Sequence, residues 1–336
     1  MKSNTMHSQP NIMAGMITLS LRLVIGWTYF SAFWRRLVLE NKLDPEGGGY
    51  IGEKFNHFLP NALGIQGIIE YLVSNPSILW WFMTAFTIIE GVVGLFMMLG
   101  LFTRLMSIMT MGLATGILLG AGWLGTTCLD EWQIGVLGIA AGFTLFLSGS
   151  GIHSLDHKFV LQREKPEWLG WVSSGPIPLS KMKVVIPLIS LGIFFFTLYS
   201  NQYFHGGVYG KLHNKSVKPK VEISKAVWEE DQLQLELMRV EGADVYGSFL
   251  IRIEVLDAHQ QKLLSLGGKE LSELPESWIH NEYVAQIKPG KYSLELPLGA
   301  KAVVKLPLQL MENKENLRVK LIDISGAEWY RDIHIP

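Results

Sequence analysis

The sequence contains very little cysteine and comparatively little charge. A single cysteine, Cys128, stands among 336 residues, which excludes an intramolecular disulfide, a cysteine-based zinc site and a cysteine-ligated iron–sulfur cluster. Charged residues make up 18% of the chain, against about 25% in an average soluble protein. The net charge is −1 and no basic stripe is present, which argues against a nucleic-acid-binding protein.

The shortage of charge is confined to the first 200 residues. They hold 23 charged side chains, whereas the remaining 136 residues hold 36. A chain with two such different parts is neither a single soluble globule nor a disordered polymer. The first part is too apolar for water and predicts a membrane domain, and the second has the composition of an ordinary folded domain.

Five apolar stretches are candidates for crossing a bilayer, which takes about 20 residues of helix. The first lacks the charged leader and the small-residue cleavage site of a signal peptide, so we expect it to be retained. Seven basic residues fall on the side of the membrane where the N-terminus lies, and four fall on the other side. This bias predicts an inner-membrane protein whose N-terminus is cytoplasmic and whose C-terminal domain is periplasmic. The predicted spans are 16–34, 78–102, 105–123, 132–147 and 184–199.

The C-terminal part alternates apolar and polar residues between turns, which predicts seven or eight short strands in an all-β sandwich. Two strands flank a turn at Glu230-Asp231, and the others are predicted at 249–256, 283–287, 292–296, 302–310, 317–324 and 329–335. A long loop on the predicted outer side joins the first two spans, between Arg35 and Ser77. The spacing of apolar residues from Phe55 to Val73 predicts one or two short helices there, lying on the outer end of the bundle. The predicted domains are a four-helix membrane domain (1–160), a cytoplasmic interfacial linker (161–182), a fifth span (183–200) and a periplasmic β-sandwich (205–336).

Two glycine patterns need separate interpretations. Residues 120–125 match GxGxxG, but they end a predicted span and follow no strand, so we reject a dinucleotide site. Gly112, Gly116 and Gly120 are spaced by four residues, which predicts either close packing within the bundle or the seam of a homodimer. Gly138 and Gly142 repeat the spacing in the fourth span.

Ionisable residues inside spans are costly and therefore functional candidates. Arg22 in the first span and Glu90 in the second lie at depths that differ by about one helical turn. The sequence therefore predicts a buried Arg22–Glu90 ion pair, either structural or part of a proton path. Arg104, at an inner helix end, is explained as an interfacial anchor or as a further cation for an anionic substrate.

The thiol of Cys128, in the short loop between the third and fourth spans on the predicted outer side, is the main candidate for a nucleophile. Arg35 and Arg36 in the facing loop would promote ionisation of the thiol, and the thiolate is the nucleophilic form. The same two guanidiniums suit bidentate binding of a small oxyanion. Asp130 either opposes the ionisation or caps the following helix.

Three segments resemble the DoxX/DoxD superfamily of small four-helix membrane proteins. They are Leu21-Arg22 through Gly26, the run from Glu90-Gly91 to Thr103-Arg104, and Gly149-Ser150-Gly151-Ile152-His153-Ser154-Leu155-Asp156. His153 stands where many relatives have arginine. With its long outer loop, fifth span and trailing β-domain, the whole chain resembles DoxD fused to DoxA, the two subunits of thiosulfate:quinone oxidoreductase.

The resemblance implies oxidation of two thiosulfates to tetrathionate, with a membrane quinone (ubiquinone or menaquinone) as electron acceptor and no metal or flavin. Under this hypothesis Cys128 bonds the outer sulfur of thiosulfate, Arg35 and Arg36 hold its sulfonate, and Glu90 or Asp130 moves protons. Arg22 and Arg104 are the further cations expected to bind the anionic substrate. Four tryptophans at outer helix ends would contact the quinone ring or form an interfacial belt: Trp34, Trp81, Trp123 and Trp132. The alternative is a non-enzymatic membrane anchor or a sulfur-anion transporter.

Overall fold

A computed structural model of the chain describes residues 12–47, 49–124, 130–161, 166–175, 177, 182–213, 218–229, 232–242, 248–307 and 316–335. The chain divides into two compact units. The helical unit comprises Met1–Ile51, Trp80–Gly122 and Leu129–Leu212, and the β-unit comprises Gly52–Leu79, Trp123–Cys128 and His213–Pro336.

Among the described residues, four helices are long and apolar enough to cross a membrane. They are α4 (Pro76–Leu99), α5 (Thr103–Ala121), α6 (Asp130–Ser148) and α8 (Val185–Phe204). Helix α1 has 15 residues and continues from helical residues 12–17, and its crossing stays a prediction. The helices up to the β-strands are α1 (Leu19–Phe33), the π-helix π1 (Trp34–Leu39), α2 (Glu53–Phe58), α3 (Gln66–Val73), α4 (Pro76–Leu99), α5 (Thr103–Ala121), α6 (Asp130–Ser148), the π-helix π2 (Asp156–Leu161), α7 (Glu167–Val172) and α8 (Val185–Phe204).

Glycines allow close contacts between helices of the helical unit. An added Cβ on Gly138 would lie 2.8 Å from the Ala114 Cβ, and one on Gly142 would lie 3.0 Å from the Ser107 carbonyl oxygen. The predicted packing role of Gly138 and Gly142 is therefore confirmed. Gly112 and Gly116, in contrast, are exposed and meet no described atom within 4 Å of an added Cβ. The prediction that Gly112 and Gly116 pack inside the bundle is therefore wrong. Their place in the seam of a homodimer stays a prediction.

Helix α5 begins where a distant carboxylate caps it. The side chain of Asp156 accepts hydrogen bonds from the backbone N–H groups of Phe102 (2.7 Å) and Thr103 (3.0 Å) and from the Thr103 hydroxyl (2.8 Å). These are N–H groups that a helix leaves without an internal partner, and an anion is favoured there. Asp156 is fully buried, so the cap also fixes the segment after α6 to the α4–α5 turn.

The β-unit contains two sheets, ordered β1-β2-β8-β5 and β10-β9-β3-β7-β6, with β4 paired to β3. All the strand pairs are antiparallel, and inward-facing residues of both sheets share one hydrophobic core. An all-β C-terminal domain is therefore confirmed. The strands are β1 (Lys220–Glu229), β2 (Gln232–Glu241), β3 (Ser248–Leu256), β4 (Lys262–Gly267), β5 (Ile279–Asn281), β6 (Lys288–Pro289), β7 (Leu294–Leu296), β8 (Lys301–Pro307), β9 (Arg318–Asp323) and β10 (Glu328–Asp332).

One strand prediction is wrong. Residues 283–287 form a loop between β5 and β6, because the Asn281 side chain bonds both the N–H and the carbonyl of Ile287 and closes the chain on itself. Strand β4 was not among the predicted strands. The predicted turn at Glu230-Asp231 and residues 308–310 lie outside the described residues.

The loop between α1 and α4 forms two short helices, α2 and α3, as expected. Asn56 on α2 is fully buried, donates from Nδ2 to the Gly299 carbonyl (3.2 Å) and accepts at Oδ1 from the Ala285 N–H (3.1 Å). The Tyr283 hydroxyl donates to Glu70 on α3 (2.9 Å), and burial, followed by this bond, raises the pKa of Tyr283 to about 12. Segment 52–79 is thus built into the β-unit.

Candidate functional site

Glu90 forms an ion pair inside the helical unit, but with a different arginine from the predicted one. Its side chain is 2% exposed and its carboxylate pairs with the guanidinium of Arg36. Arg22 instead donates to the carbonyls of Ser150 (2.5 Å) and His153 (2.7 Å). The predicted Arg22–Glu90 pair is therefore wrong. Side chains on a helix point toward its N-terminus, so Arg36, on the π-helix that follows α1, reaches back along the helix to Glu90.

Arg35 and Arg36 lie on the π-helix that extends α1. Such wide turns are rare and often occur at functional sites. Arg36 is 23% exposed at its side chain, while Arg35 is exposed and donates from Nε to the Ser31 carbonyl (3.2 Å). The charge of Arg35 also acts on the Glu90 carboxylate. The structure thus brings together three predicted site residues, and two cations face one buried anion.

Arg22 and Arg104 are occupied by backbone carbonyls. Arg104 is 2% exposed, donates from Nε to Phe146 (3.2 Å) and from Nη1 to Trp171 (3.2 Å), and also bonds the carbonyl of Gly175. Both guanidiniums lie within electrostatic range of Asp156. A guanidinium has five donors and no acceptor. Two donors of Arg22 are used by backbone carbonyls, and its buried Nε has no partner among the described residues. Arg104 donates to four carbonyls, those of Phe146, Gly170, Trp171 and Gly175. The geometry gives both arginines a role in holding the segments 146–153 and 170–175.

Three buried hydroxyls that the sequence analysis did not single out lie in the same helices. Within the described part of the chain, the hydroxyls of Tyr29, Thr87 and Thr110 have no hydrogen-bond partner, and the three residues are 3%, 0% and 0% exposed. Tyr29 lies within electrostatic range of Glu90. A sequence signal exists: Thr87 precedes Glu90 by three residues, so both lie on one face of α4.

Cys128 lies outside the described residues, as does the side chain of Asp130. The helix ends on either side of residues 125–129 are described. Gly122 follows α5, where an added Cβ would lie 2.4 Å from the Phe204 ring. Trp132 on α6 donates from Nε1 to Ser200 (3.0 Å), and its ring meets that of His205 at 6.0 Å. The end of α8 therefore packs against the helices that the Cys128 loop joins.

The predicted tryptophans have different partners. Trp34 meets Phe30 at 6.0 Å and is 41% exposed, and Trp81 meets Trp80 at 4.8 Å and is 67% exposed. Trp132 bonds α8 as above, and Trp123 belongs to the β-unit. Large exposure on span ends is typical of an interfacial belt. A ring-binding role for these residues stays a prediction.

The arrangement offers two cations and a buried carboxylate. Among the described residues, no group of three or more His, Cys, Asp or Glu side chains is placed to hold a metal ion. Paired guanidiniums suit an oxyanion, and a buried carboxylate in a membrane helix suits proton transfer.

Two family models match the chain. The first, described as TQO small subunit DoxD, matches residues 17–180, and the second, described as TQO small subunit DoxA, matches residues 204–332. TQO stands for thiosulfate:quinone oxidoreductase. Both models match in one chain, with α8 as the tether between them.

Proposed function

Because the chain belongs to the DoxD and DoxA families, fused in one polypeptide, we propose that it oxidises thiosulfate to tetrathionate and reduces a membrane quinone, ubiquinone or menaquinone. The observation that carries this proposal is the presence of both subunit matches in a single chain. The fusion makes the partnership of the two subunits permanent and one-to-one.

The proposed chemistry balances without a metal. Overall, two thiosulfates, one quinone and two protons give one tetrathionate and one hydroquinone. The Cys128 thiolate bonds the outer sulfur of one thiosulfate, and two electrons leave to the quinone. The outer sulfur of a second thiosulfate then attacks the sulfur bound to Cys128, releasing tetrathionate and the thiolate by exchange.

Arg35 and Arg36 are the proposed ligands of the thiosulfate sulfonate. Support comes from their position on π1 and from the exposure of Arg35. Glu90 is the proposed proton relay, because the reaction consumes two protons and a buried carboxylate in a membrane helix can take up a proton and pass it on. Asp130, beside Cys128 in the sequence, is the second candidate for this role.

The proposed topology has five spans, a cytoplasmic N-terminus and a periplasmic β-unit. The β-unit contains both segment 52–79 and the C-terminal strands, which must therefore lie on one side of the membrane. Four apolar helices separate them in the chain, and four crossings return the chain to the same side. Adding α1 as a fifth span places the N-terminus on the opposite side, which agrees with the bias of basic residues.

The test of the proposed function is the Cys128→Ala variant. We expect it to lose thiosulfate-dependent quinone reduction, because the variant has no sulfur to form the adduct. The assay follows quinone absorbance with the purified protein and a short-chain quinone, and tetrathionate is measured separately. Thr127→Ala, which changes the neighbouring side chain and keeps the thiol, is the control and should remain active. Wild-type activity in Cys128→Ala would contradict the cysteine mechanism.

A further inference from the structure

Apart from Thr103, which donates to Asp156, the described threonines of α1, α4, α5, α6 and α8 divide into two groups by their hydrogen bonds. Five of them donate to the backbone carbonyl four residues earlier, which is the usual way to satisfy a hydroxyl in a membrane helix. Thr87 and Thr110 do not, and both are fully buried. The five satisfied residues are Thr28, Thr84, Thr115, Thr144 and Thr197.

The unsatisfied hydroxyls belong to three helices, α1, α4 and α5. The Tyr29 hydroxyl lies 3.1 Å, and the Ala114 Cβ 2.8 Å, from the point where a Cβ on Gly138 would stand. Tyr29, Ala114 and Gly138 therefore meet at one place among α1, α5 and α6. Thr110 lies one turn from Ala114 on the same face of α5.

The fourth helix contributes the charged group of this cluster. Glu90 on α4 acts electrostatically on Tyr29, and Thr87 lies one turn from Glu90. Leaving a buried hydroxyl without a partner costs about 1–3 kcal/mol, so three such hydroxyls in helices that pack in one unit with the buried Glu90 carboxylate indicate a polar occupant. The neighbouring walls are apolar and include Val93 and Leu113.

We propose that Tyr29, Thr87 and Thr110 bind the headgroup of the quinone inside the helical unit, beside Glu90. This inference rests on the proposed function and gives its electron acceptor a site. A quinone presents carbonyl oxygens, which accept hydrogen bonds from hydroxyls, on a flat apolar ring that suits the walls. Thiosulfate does not fit, because a dianion in this apolar interior would face the Glu90 carboxylate at low dielectric.

In this proposal the two substrates bind at different places. Arg35, exposed on π1, faces the anion, and the buried hydroxyls face the membrane-soluble acceptor. Glu90 is paired with Arg36 and acts electrostatically on Tyr29. As a proton relay, it would first take up a proton and then pass it to a quinone carbonyl oxygen bound next to Tyr29.

The test measures binding of a short-chain quinone to the purified full-length protein in the absence of thiosulfate. Quenching of tryptophan fluorescence reports the binding. We expect saturable binding to wild type and about a tenfold weaker Kd for each of Tyr29→Phe, Thr87→Val and Thr110→Val, the loss expected for one hydrogen bond. Thr144→Val and Thr28→Val remove hydroxyls that are exposed and satisfied by their own helix, and should bind like wild type.

Equal Kd values for the three variants and wild type, or no saturable binding to wild type, would overturn the site. A second assay separates this outcome from failure of the proposed function: thiosulfate oxidation with ferricyanide as a soluble acceptor. If the site is right, Tyr29→Phe keeps ferricyanide-linked oxidation while its quinone-linked KM rises about tenfold. Wild type that binds quinone but oxidises no thiosulfate with either acceptor would contradict the proposed function and leave the site standing.

Discussion

At the scale of single residues, Arg35 and Arg36 are neighbours with different surroundings. Arg36 compensates a carboxylate that is 2% exposed, whereas Arg35 is exposed and bonds a backbone carbonyl of its own helix. Removing one partner of a buried ion pair leaves an uncompensated charge and is costly, whereas removing an exposed cation is not. A substitution at Arg35 therefore reports on the substrate, and one at Arg36 reports first on the fold.

We expect Arg36→Ala to lower stability by about 3–5 kcal/mol, and Arg36→Ala/Glu90→Gln to recover part of the loss because the buried charge is gone. Arg35→Ala should change stability by less than about 0.5 kcal/mol and raise the thiosulfate KM about tenfold, as for one lost charge-assisted contact. Thermal unfolding in detergent and steady-state kinetics measure the two effects. A double variant no more stable than Arg36→Ala would contradict the pairing.

At the scale of elements, the start of α5 depends on Asp156, which lies 53 residues beyond the Thr103 N–H that it caps. Asp156→Ala leaves buried donors of Phe102, Thr103 and Ser174 without an acceptor. We expect a loss of about 2–4 kcal/mol from the lost cap and the unsatisfied donors, measured by thermal unfolding.

Asp156→Asn keeps an acceptor oxygen and should lose less. Asp257→Ala is the matched control, because Asp257 also accepts backbone N–H bonds, from His259 and Gln261, but in an exposed turn. Equal melting temperatures for Asp156→Ala and Asp257→Ala would show that the distant cap does not stabilise α5.

The long apolar helices can be predicted from the sequence, whereas several side-chain contacts between distant residues cannot. Apolar length fixes α4, α5, α6 and α8 within a few residues, because burial in a bilayer depends on local composition. The partner of Glu90 was missed, because helix depth alone does not say which arginine side chain points inward. The strand predicted at 283–287 failed because side-chain bonds from Asn281 and Asn56 hold this segment as a loop, and Asn56 lies 229 residues from its partner Ala285. Contacts of this range leave no local pattern.

At the scale of the whole molecule, the β-unit is made from two separate stretches of chain. Segment 52–79 lies between α1 and α4 in sequence, yet its buried residues share a cluster with Tyr283. The DoxD match contains this segment and the DoxA match contains Tyr283. The segment therefore serves as the part of the DoxD region that holds the DoxA region, independently of the covalent tether at α8.

Cutting the tether tests this arrangement. We expect residues 1–212 and 213–336, expressed together as two chains, to copurify through an affinity tag on the second, because the bonds from Asn56 and Glu70 and the apolar cluster remain.

Asn56→Ala should reduce the recovered partner several-fold, since it leaves the Gly299 carbonyl and the Ala285 N–H unpaired in a buried site. Asn75→Ala, which removes an exposed amide of the same segment that bonds only Tyr71 in its own turn, should have no effect. Two folded fragments that purify apart would show that the tether at α8, and not segment 52–79, joins the two families in this chain.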